Sequence, residues 1–281
     1  MDKNRENKMT VKLVSNEKVA ETSSKGNQEK WFDKETNKWY KLDQFGYEAL
    51  AETLVSRLLE KSNISSDTPF SFAKYQMERL NVHGRDRTGC SSESFLKSGQ
   101  SIITLSHLFS RQLGISLKDK LTKLTSDKKR TEYLATATAE FTDLKKFPEY
   151  LTILFEVDAL FLNDDRHLNN IAVLEKNGRF DYCPIFDNGA GLLSNTQFSP
   201  MDIEPKGLIK SVIARPFNTT FNRQMNTARA LFGKQLKIPQ FTGKEITAEL
   251  KPMLEFYAER DRGLISDRVV ECVLERQKFS Q

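Results

Sequence analysis

Two polar loops in the second half of the chain carry a high density of groups that can do chemistry. Residues 163–170 combine two adjacent carboxylates, a basic pair and several amides, and residues 184–189 contain Asp187. Carboxylate and amide oxygens are the ligands that Mg²⁺ takes when it bridges nucleotide phosphates. The two loops together predict phosphotransfer, with Asn170 and Asp187 as metal ligands and Asp165 orienting the acceptor hydroxyl.

Each loop alone has a simpler explanation, because Asp and Asn are common turn residues. Asp165 would then cap a loop, and Asp187 would open an Asp-Asn-Gly turn. The combination of D-x-H-x-x-N with a later apolar-Asp-x-Gly segment favours phosphotransfer over two unrelated turns. We expect His167 to orient the first loop rather than to act as a general base, because Asp165 already fills the acceptor-orienting role.

The elements that must position these loops follow from the hydrophobic pattern. A strongly apolar helix over 148–162 precedes the first loop, and two short strands, 171–174 and 179–184, separate it from the second. Residues 194–221 look irregular, and no role is predicted for them. The remaining helical patterns of this part cover 101–113, 131–141, 221–231, 244–260 and 265–277.

The first part of the chain has a different pattern. Short β-prone stretches at 11–14, 30–32 and 38–42 indicate an antiparallel meander, and they are followed by a helical face over 49–59 and a strand over 70–80. Residues 81–92 are polar and contain glycine, so we expect them to lie outside any core and to mark a lobe boundary.

The pattern as a whole predicts an α+β fold with two lobes. Residues 1–80 are expected to form a small lobe with an antiparallel sheet and one main helix. Residues 81–281 are expected to form a mainly helical lobe that carries both polar loops.

The first lobe offers groups suited to phosphate binding. Gly26 lies in a polar loop between strands, where it allows backbone N–H groups to approach phosphate oxygens closely. Lys41 lies on the strand after that loop and can hold a fixed positive charge on nucleotide phosphates if a helical carboxylate pairs with it. Glu52 is the expected partner, and Glu48, one helical turn earlier, is the alternative.

These separated motifs resemble those of the HipA-like kinases. The family's catalytic loop has the form Asp-x-His-x-x-Asn, matched here at 165–170, and its phosphate-covering loop has the form Gly-x-Gln-x-Lys, matched at 26–30. Residues 39–42 are similar to its nucleotide-lysine strand, and residues 75–80 to its inter-lobe hinge. The resemblance covers roughly 23–189 in motif order.

The resemblance implies a protein-kinase-like fold and an ATP- and Mg²⁺-dependent serine/threonine protein kinase. In that case the phosphate-covering loop and the strand lysine would contact ATP phosphates, and the hinge backbone would contact adenine. The residues implied for nucleotide binding are Gly26, Asn27, Gln28, Lys30, Lys41, Glu78 and Leu80. The residues implied for catalysis are Asp165, Lys41, Glu52 and His167, with Asn170 and Asp187 on the metal.

Other functions stay open at this point. A D-R-H-x-x-N loop also occurs in phosphoinositide kinases, so a lipid or small-molecule kinase is the leading alternative, although the Gly-x-Gln-x-Lys loop argues against it. A non-catalytic nucleotide-binding regulator is the second, and loss of a catalytic residue would be its signature. A third is a regulator that binds DNA through its basic surface in a toxin–antitoxin pair.

Hydropathy, cysteine spacing and net charge narrow the cellular location and the possible partners of the protein. No apolar run approaches the roughly 20 residues that span a bilayer, and the polar start lacks a secretory hydrophobic region. The three cysteines are far apart, as in a reduced cytoplasmic protein. The net charge of +5 comes with no groove-reading pattern. We therefore expect no direct nucleic-acid binding. The resemblance to the HipA-like kinases implies a protein substrate and permits an antitoxin-like or regulatory partner chain.

Two serines stand just before the phosphate-loop glycine. A phosphate on Ser23 or Ser24 would carry about −1.5 to −2 charges beside the ATP phosphates. Like-charge repulsion would then weaken nucleotide binding. The sequence therefore predicts that autophosphorylation at these serines inhibits the protein.

Overall fold

The computed structural model describes residues 11–14 and 28–280. It has a mixed α+β architecture, with a five-stranded sheet in its first part and a mainly helical remainder. The predicted fold class is confirmed. The sheet has the order β1-β4-β5-β3-β2 and contains β1 (Val11–Val14), β2 (Lys30–Asp33), β3 (Lys38–Leu42), β4 (Tyr75–Val82) and β5 (Arg85–Glu93).

The strand pairing corrects the predicted meander. β2 and β3 form an antiparallel hairpin, as expected, with Lys30 directly opposite Lys41. β1 instead pairs in parallel with β4, with Val11 opposite Arg79, at the other edge of the sheet. Hydrophobic alternation marks a strand but does not specify its neighbour, and the parallel partner is separated from β1 by a long crossover.

The prediction that residues 81–92 lie outside the core is wrong. They include most of β5, which pairs with β4 on one side and β3 on the other. A Cβ on Gly89 would lie 2.3 Å from the Lys41 carbonyl oxygen, so this glycine permits close strand approach rather than a loop. The sheet therefore runs on to Glu93, past the lobe boundary that was placed at residue 80.

One long helix, α1 (Glu48–Leu59), packs against this sheet, and a single turn, α2 (Ile64–Asp67), follows it. Every residue of α1 except Arg57 is buried. The Tyr47 hydroxyl just before the helix donates to the backbone oxygens of Leu192 and Leu193 at 2.8 and 3.1 Å. The helix is thus held between the sheet and the second part of the chain.

The second part contains a small sheet and eight helices within the described residues. The antiparallel sheet has the order β6-β7-β8, formed by β6 (Ser101–Thr104), β7 (Ala172–Lys176) and β8 (Arg179–Tyr182). The helices are α3 (Leu105–Leu113), α4 (Leu117–Thr122), α5 (Asp127–Thr142), α6 (Phe147–Phe161), α7 (Pro205–Ser211), α8 (Phe221–Phe232), α9 (Gly243–Leu254) and α10 (Glu259–Gln277).

Three details differ from the sequence prediction. Residues 101–104 form a strand instead of the first turn of a helix, because they extend the hairpin that carries the polar loops. The helix predicted over 244–260 ends at Leu254, after Pro252 in its last turn. The irregular segment 194–221 contains one short helix, α7.

Helix α6 is the centre of the main hydrophobic core. All residues from Tyr150 to Leu162 are buried, as the continuous apolar run predicts. Leu162 ends the helix in the left-handed conformation at φ 57°, and its N–H donates to the Asp158 oxygen. This C-cap turns the chain directly into the first polar loop. No helix in the described part is long and apolar enough to span a membrane.

Candidate active site

A lysine and two carboxylates from three separate elements meet in the cleft between sheet and helices. The Lys41 ammonium on β3 bonds Glu52 Oε1 on α1, and it lies 2.6 Å from Asp187 Oδ1. The other Glu52 oxygen accepts the Asn188 N–H at 2.8 Å. One buried carboxylate therefore ties the lysine strand to the loop that contains Asp187.

The contacts show which of the two candidate glutamates pairs with Lys41. Glu52 is fully buried and contacts the lysine, whereas Glu48 accepts the backbone N–H groups of the preceding turn. Its oxygens lie 2.8 Å from Phe45 N and 3.1 Å from Gly46 N. Glu48 thus stabilises the entry to α1 as a first-turn acidic residue, and Glu52 is the ion-pair partner.

Charge pairing sets the protonation states of this cluster. Burial alone would raise the pKa of Asp187, but the positive charges of Lys41 and Lys30 outweigh it and lower that pKa below its usual range. Burial likewise lowers the pKa of Lys41, and the charges of Asp187 and Glu52 reverse the effect and hold it well above 10.5. Lys41 and Asp187 are therefore both ionised at neutral pH.

The structure places part of the predicted phosphate loop beside this cluster. Lys30 stands opposite Lys41 on β2 and adds to the positive charge acting on Asp187. The Gln28 amide donates to the Leu42 oxygen at 2.8 Å, so this side chain fixes the loop to the lysine strand. Ser23, Ser24, Gly26 and Asn27 lie outside the described residues, and their predicted roles stay predictions.

Arg166 is buried under the first polar loop and holds it in place through hydrogen bonds of its guanidinium. Its guanidinium is 1% exposed and bonds both carboxylate oxygens of Asp158 at 3.1 Å through Nε. Nη1 donates to the backbone oxygens of Phe186 at 2.7 Å and Asn170 at 3.2 Å. Because one buried group bonds the backbone of both loops, it ties together the loops that carry the predicted metal ligands Asn170 and Asp187.

Two residues of this scaffold were missed from the sequence. Asp158 and Glu156 are both buried in the apolar run of α6, and such acids were the available signal that buried cations must lie nearby. Asn163 donates from its amide to the Asp187 backbone oxygen and to Asp158 Oδ1, each at 3.1 Å. Asn163 was part of the predicted loop but had no assigned role.

Asp165 lies at the open side of the cleft. Its side chain is 60% exposed, and Asn170 Nδ2 donates to its backbone oxygen at 2.8 Å. His167 Nε2 lies 3.8 Å from Asp165 Oδ1, while Nδ1 accepts the Asn169 N–H at 3.2 Å. The imidazole thus contacts its own loop on both sides, as expected of a residue that orients it.

The pKa of Asp165 is raised. Partial desolvation in the cleft is the main cause, and the Asp187 charge adds to it, while His167 acts in the opposite direction. Burial and the charge of Asp165 likewise raise the pKa of neighbouring Asp164 to about 6. Arg215, from the irregular segment, lowers the pKa of both carboxyls. No pattern in the sequence pointed to Arg215.

The donor set fits a magnesium–nucleotide complex. Asp187 provides an ionised carboxylate and Asn170 an amide oxygen, both of the hard type that Mg²⁺ prefers. Within the described part of the chain, no group of three or more His, Cys, Asp or Glu side chains is arranged to hold a metal ion. Such a pair suits an ion that takes most of its ligands from nucleotide phosphates and water.

The prediction that Glu78 and Leu80, the expected adenine contacts, lie at the junction of the two lobes is wrong. Glu78 and Leu80 lie inside β4, opposite Gly89 and Arg87 of β5, and Leu80 also faces Lys12 of β1. Their backbone belongs to the sheet, and the Glu78 carboxylate accepts bonds from Lys12 and Ser91. The two sheets are instead connected by residues 94–100, which follow β5. The sequence prediction placed this connection one strand too early, because it took residues 81–92 for a loop.

The sheet, the helical part and this cleft together define a kinase-like structure. The crystal structure of CtkA, a Helicobacter pylori proinflammatory kinase, matches 92% of this chain and 91% of its own with a TM-score of 0.58 and 13% identity. HipA from a Shewanella oneidensis MR-1 complex with HipB and operator DNA has a TM-score of 0.46 and 13% identity, over 90% of this chain and 64% of its own. No family model and no curated protein match the sequence.

Proposed function

We propose that this protein is an ATP- and Mg²⁺-dependent kinase of the HipA-like type that transfers the γ-phosphate to a serine or threonine hydroxyl of a protein. One observation carries the proposal. Lys41, Glu52 and Asp187 form a single charged network, and Arg166 joins that network's loop to the loop of Asp165. The kinase-like fold agrees with it.

On the nucleotide side, Lys41 places a fixed positive charge where phosphates bind, and Glu52 holds it there. Asp187 and Asn170 would hold Mg²⁺, which supplies neutralisation of phosphate charge when bound. Nucleotide phosphates would also draw Lys41 away from Asp187, since both anions compete for the same ammonium. The buried network therefore holds the Lys41 ammonium in position before ATP arrives.

On the acceptor side, Asp165 is open to solvent and can accept a hydrogen bond from an incoming hydroxyl. Its raised pKa makes its ionised form a better proton acceptor than an ordinary aspartate. Asn170 holds the loop backbone beneath it. These side chains position the hydroxyl in line with the phosphate without a covalent intermediate.

The adenine ring would bind against the segment that links the two sheets. Phe95 in this segment packs on Phe186, with ring centroids 5.8 Å apart, immediately before Asp187. Met77 and Cys90 line the same small cluster on the sheet. Backbone groups of residues 94–97 would take the role first assigned to Glu78 and Leu80.

The alternatives differ in the acceptor or in the chemistry. A lipid or small-molecule kinase would use the same nucleotide side, so only the acceptor can separate it from a protein kinase. A non-catalytic regulator is disfavoured because the charged network and Asp165 are both intact. A regulatory partner chain, a cytoplasmic location and inhibition through Ser23 or Ser24 remain parts of the proposal.

The test is incubation of the purified chain with γ-labelled ATP and Mg²⁺, using separate protein and lipid pools. We expect label on serine or threonine of protein, and none on lipid. The Asp187→Ala variant serves as the control, because it lacks the anionic metal ligand and should show no Mg²⁺-dependent ATP binding by calorimetry. Label on lipid alone would favour the alternative, and no transfer to any pool would contradict the proposed function.

A further inference from the structure

Three arginines are buried in the described structure, and one of them differs from the others in its partners. Arg166 pairs with Asp158, and Arg268 donates through both terminal nitrogens to three backbone oxygens of residues 199–203. Arg276 is 6% exposed and donates to Ala159 O at 2.7 Å through Nε and to Asn222 Oδ1 at 2.6 Å through Nη2. Its Nη1 has no hydrogen-bond acceptor among the described residues.

No carboxylate of the described residues lies within ion-pair distance of Arg276. Burial lowers its pKa to about 10, and the nearby Cys272 thiol offsets only part of that effect. A buried charge without a counter-ion is costly unless something else compensates it. The two neutral acceptors explain how the side chain is held, but neither of them carries a countercharge.

Arg276 lines a cavity of about 340 Å³ formed by α7, the start of α8 and the end of α10. We call it the α7–α8–α10 pocket. Lys206 and Lys210 of α7 add two further cations to its wall. The single lining carboxylate, Glu275, lies 2.5 Å from Lys278 and so has its own partner.

The pocket combines this charge with apolar surface and with the beginning of a helix. Phe221 and Phe279 flank the Arg276 guanidinium, with centroids 5.8 and 5.1 Å from its central carbon, and Phe279 is 49% exposed. Thr220 caps α8 through its hydroxyl, and the first N–H groups of that helix have no intrahelical acceptor. The helix dipole adds positive potential at the same place.

We infer that the α7–α8–α10 pocket binds a phosphate monoester with an apolar or aromatic body. Lys206 lies 3.5 Å from Glu271 and Glu275 is paired with Lys278, so Arg276 and Lys210 leave about two positive charges, which a phosphate monoester at about −1.5 to −2 would balance. The phosphoryl group would lie against Arg276 Nη1 and Lys210, and the body against Phe279. None of the lining residues belongs to the nucleotide cleft, so the pocket is a second site, independent of phosphotransfer.

Phenyl phosphate is a suitable probe, because it has one phosphoryl group and one aromatic ring. Calorimetry on the full chain should show saturable binding that is stronger than binding of inorganic phosphate, while phenol should not bind. Arg276 itself is a poor first target, since its guanidinium also holds α6 and α8 together. The double variant Lys206→Ala/Lys210→Ala removes two exposed cations instead.

We expect this double variant to bind phenyl phosphate about tenfold more weakly or worse, because the charge-assisted contact of Lys210 and the nearby positive charge of Lys206 are lost. The matched control Lys244→Ala/Lys251→Ala removes two exposed lysines of α9 and should bind as the parent does. Phe279→Ala should weaken binding of phenyl phosphate but leave inorganic phosphate unchanged. Lys41→Ala in the nucleotide cleft should have no effect.

The inference is overturned if the Lys206→Ala/Lys210→Ala variant binds phenyl phosphate as tightly as the parent. It is also overturned if Lys41→Ala abolishes binding, because the probe would then occupy the nucleotide cleft. Binding of phenol as strong as that of phenyl phosphate would show an apolar cleft without anion recognition. No measurable binding of phenyl phosphate by the parent would equally contradict it.

Discussion

The nucleotide side and the acceptor side of the cleft differ in how far their side chains are buried and paired. On the nucleotide side, the side chains of Lys41, Glu52 and Asp187 are 9%, 0% and 22% exposed, and each is held by at least one charged contact. On the acceptor side, the side chains of Asp165 and His167 are 60% and 46% exposed, and they interact mainly within their own loop.

The difference indicates how the two tasks are divided. A buried network keeps its geometry without ligand, because every charge in it has a partner and little water competes. An open carboxylate can instead meet acceptors of different shape, since nothing in the loop encloses it. The nucleotide side is therefore pre-organised, whereas the acceptor side depends on the substrate to complete it.

The largest effect is expected for the buried Asp158–Arg166 pair, which supports both sides of the cleft. Asp158→Ala leaves the Arg166 charge buried without its carboxylate, and losing one partner of a buried pair costs about 3–5 kcal/mol. The free energy of unfolding, measured by urea denaturation, should fall by that amount. Asp267→Ala, an exposed acid on α10, is the control and should change it by less than about 0.5 kcal/mol. An Asp158→Ala variant as stable as the parent would show that Arg166 does not need its partner.

A smaller effect should separate the two glutamates of α1. Glu52→Gln keeps the shape of the side chain but removes the charge that holds Lys41, so we expect phosphotransfer to fall about 10²–10³-fold. Glu48→Gln keeps an acceptor oxygen for the turn N–H groups and should transfer phosphate at a rate close to the parent. Steady-state rates with saturating ATP compare the two. Equal losses in both variants would mean that the helix, and not the ion pair, matters.

The smallest of these three effects is expected for His167 on the open side, and it depends on pH. Because the pKa of Asp165 is raised, the transfer rate should decline as the pH falls through that pKa and the carboxylate becomes protonated. The imidazole of His167 favours the ionised form, so His167→Gln should move this acidic limb to higher pH while changing the plateau rate little. A pH–rate profile measures both quantities. A large loss at the plateau with no shift of the limb would assign His167 a direct catalytic role.

Sequence patterns were informative where periodicity and local motifs determine structure. β3 was predicted at its observed bounds, and α1 and α6 each to within one residue, because their apolar positions repeat with a clear period. The D-x-H-x-x-N motif and Asp187 were placed correctly in two loops that meet. Arg166 brings them together from below, through contacts that the hairpin alone does not specify.

The failures concern long-range contacts and buried polar strands. β5 was taken for a loop because its sequence, Arg85–Glu93, is polar, yet its neighbours in the sheet bury residues 89–92. That one error shifted the expected hinge from residues 94–100 back to Glu78 and Leu80. The parallel pairing of β1 with β4 has no local signal either, since any edge of a sheet can accept a parallel strand.

The central claim is that the buried side binds the nucleotide and the open side directs the acceptor. Asp165→Asn tests it most directly, because the substitution keeps the shape of the side chain and removes only the proton-accepting charge. ATP binding by calorimetry and phosphotransfer from γ-labelled ATP should be measured on the same preparation. We predict parent-like ATP affinity with phosphotransfer reduced about 10²–10⁴-fold. Parent-like phosphotransfer by Asp165→Asn would contradict the account.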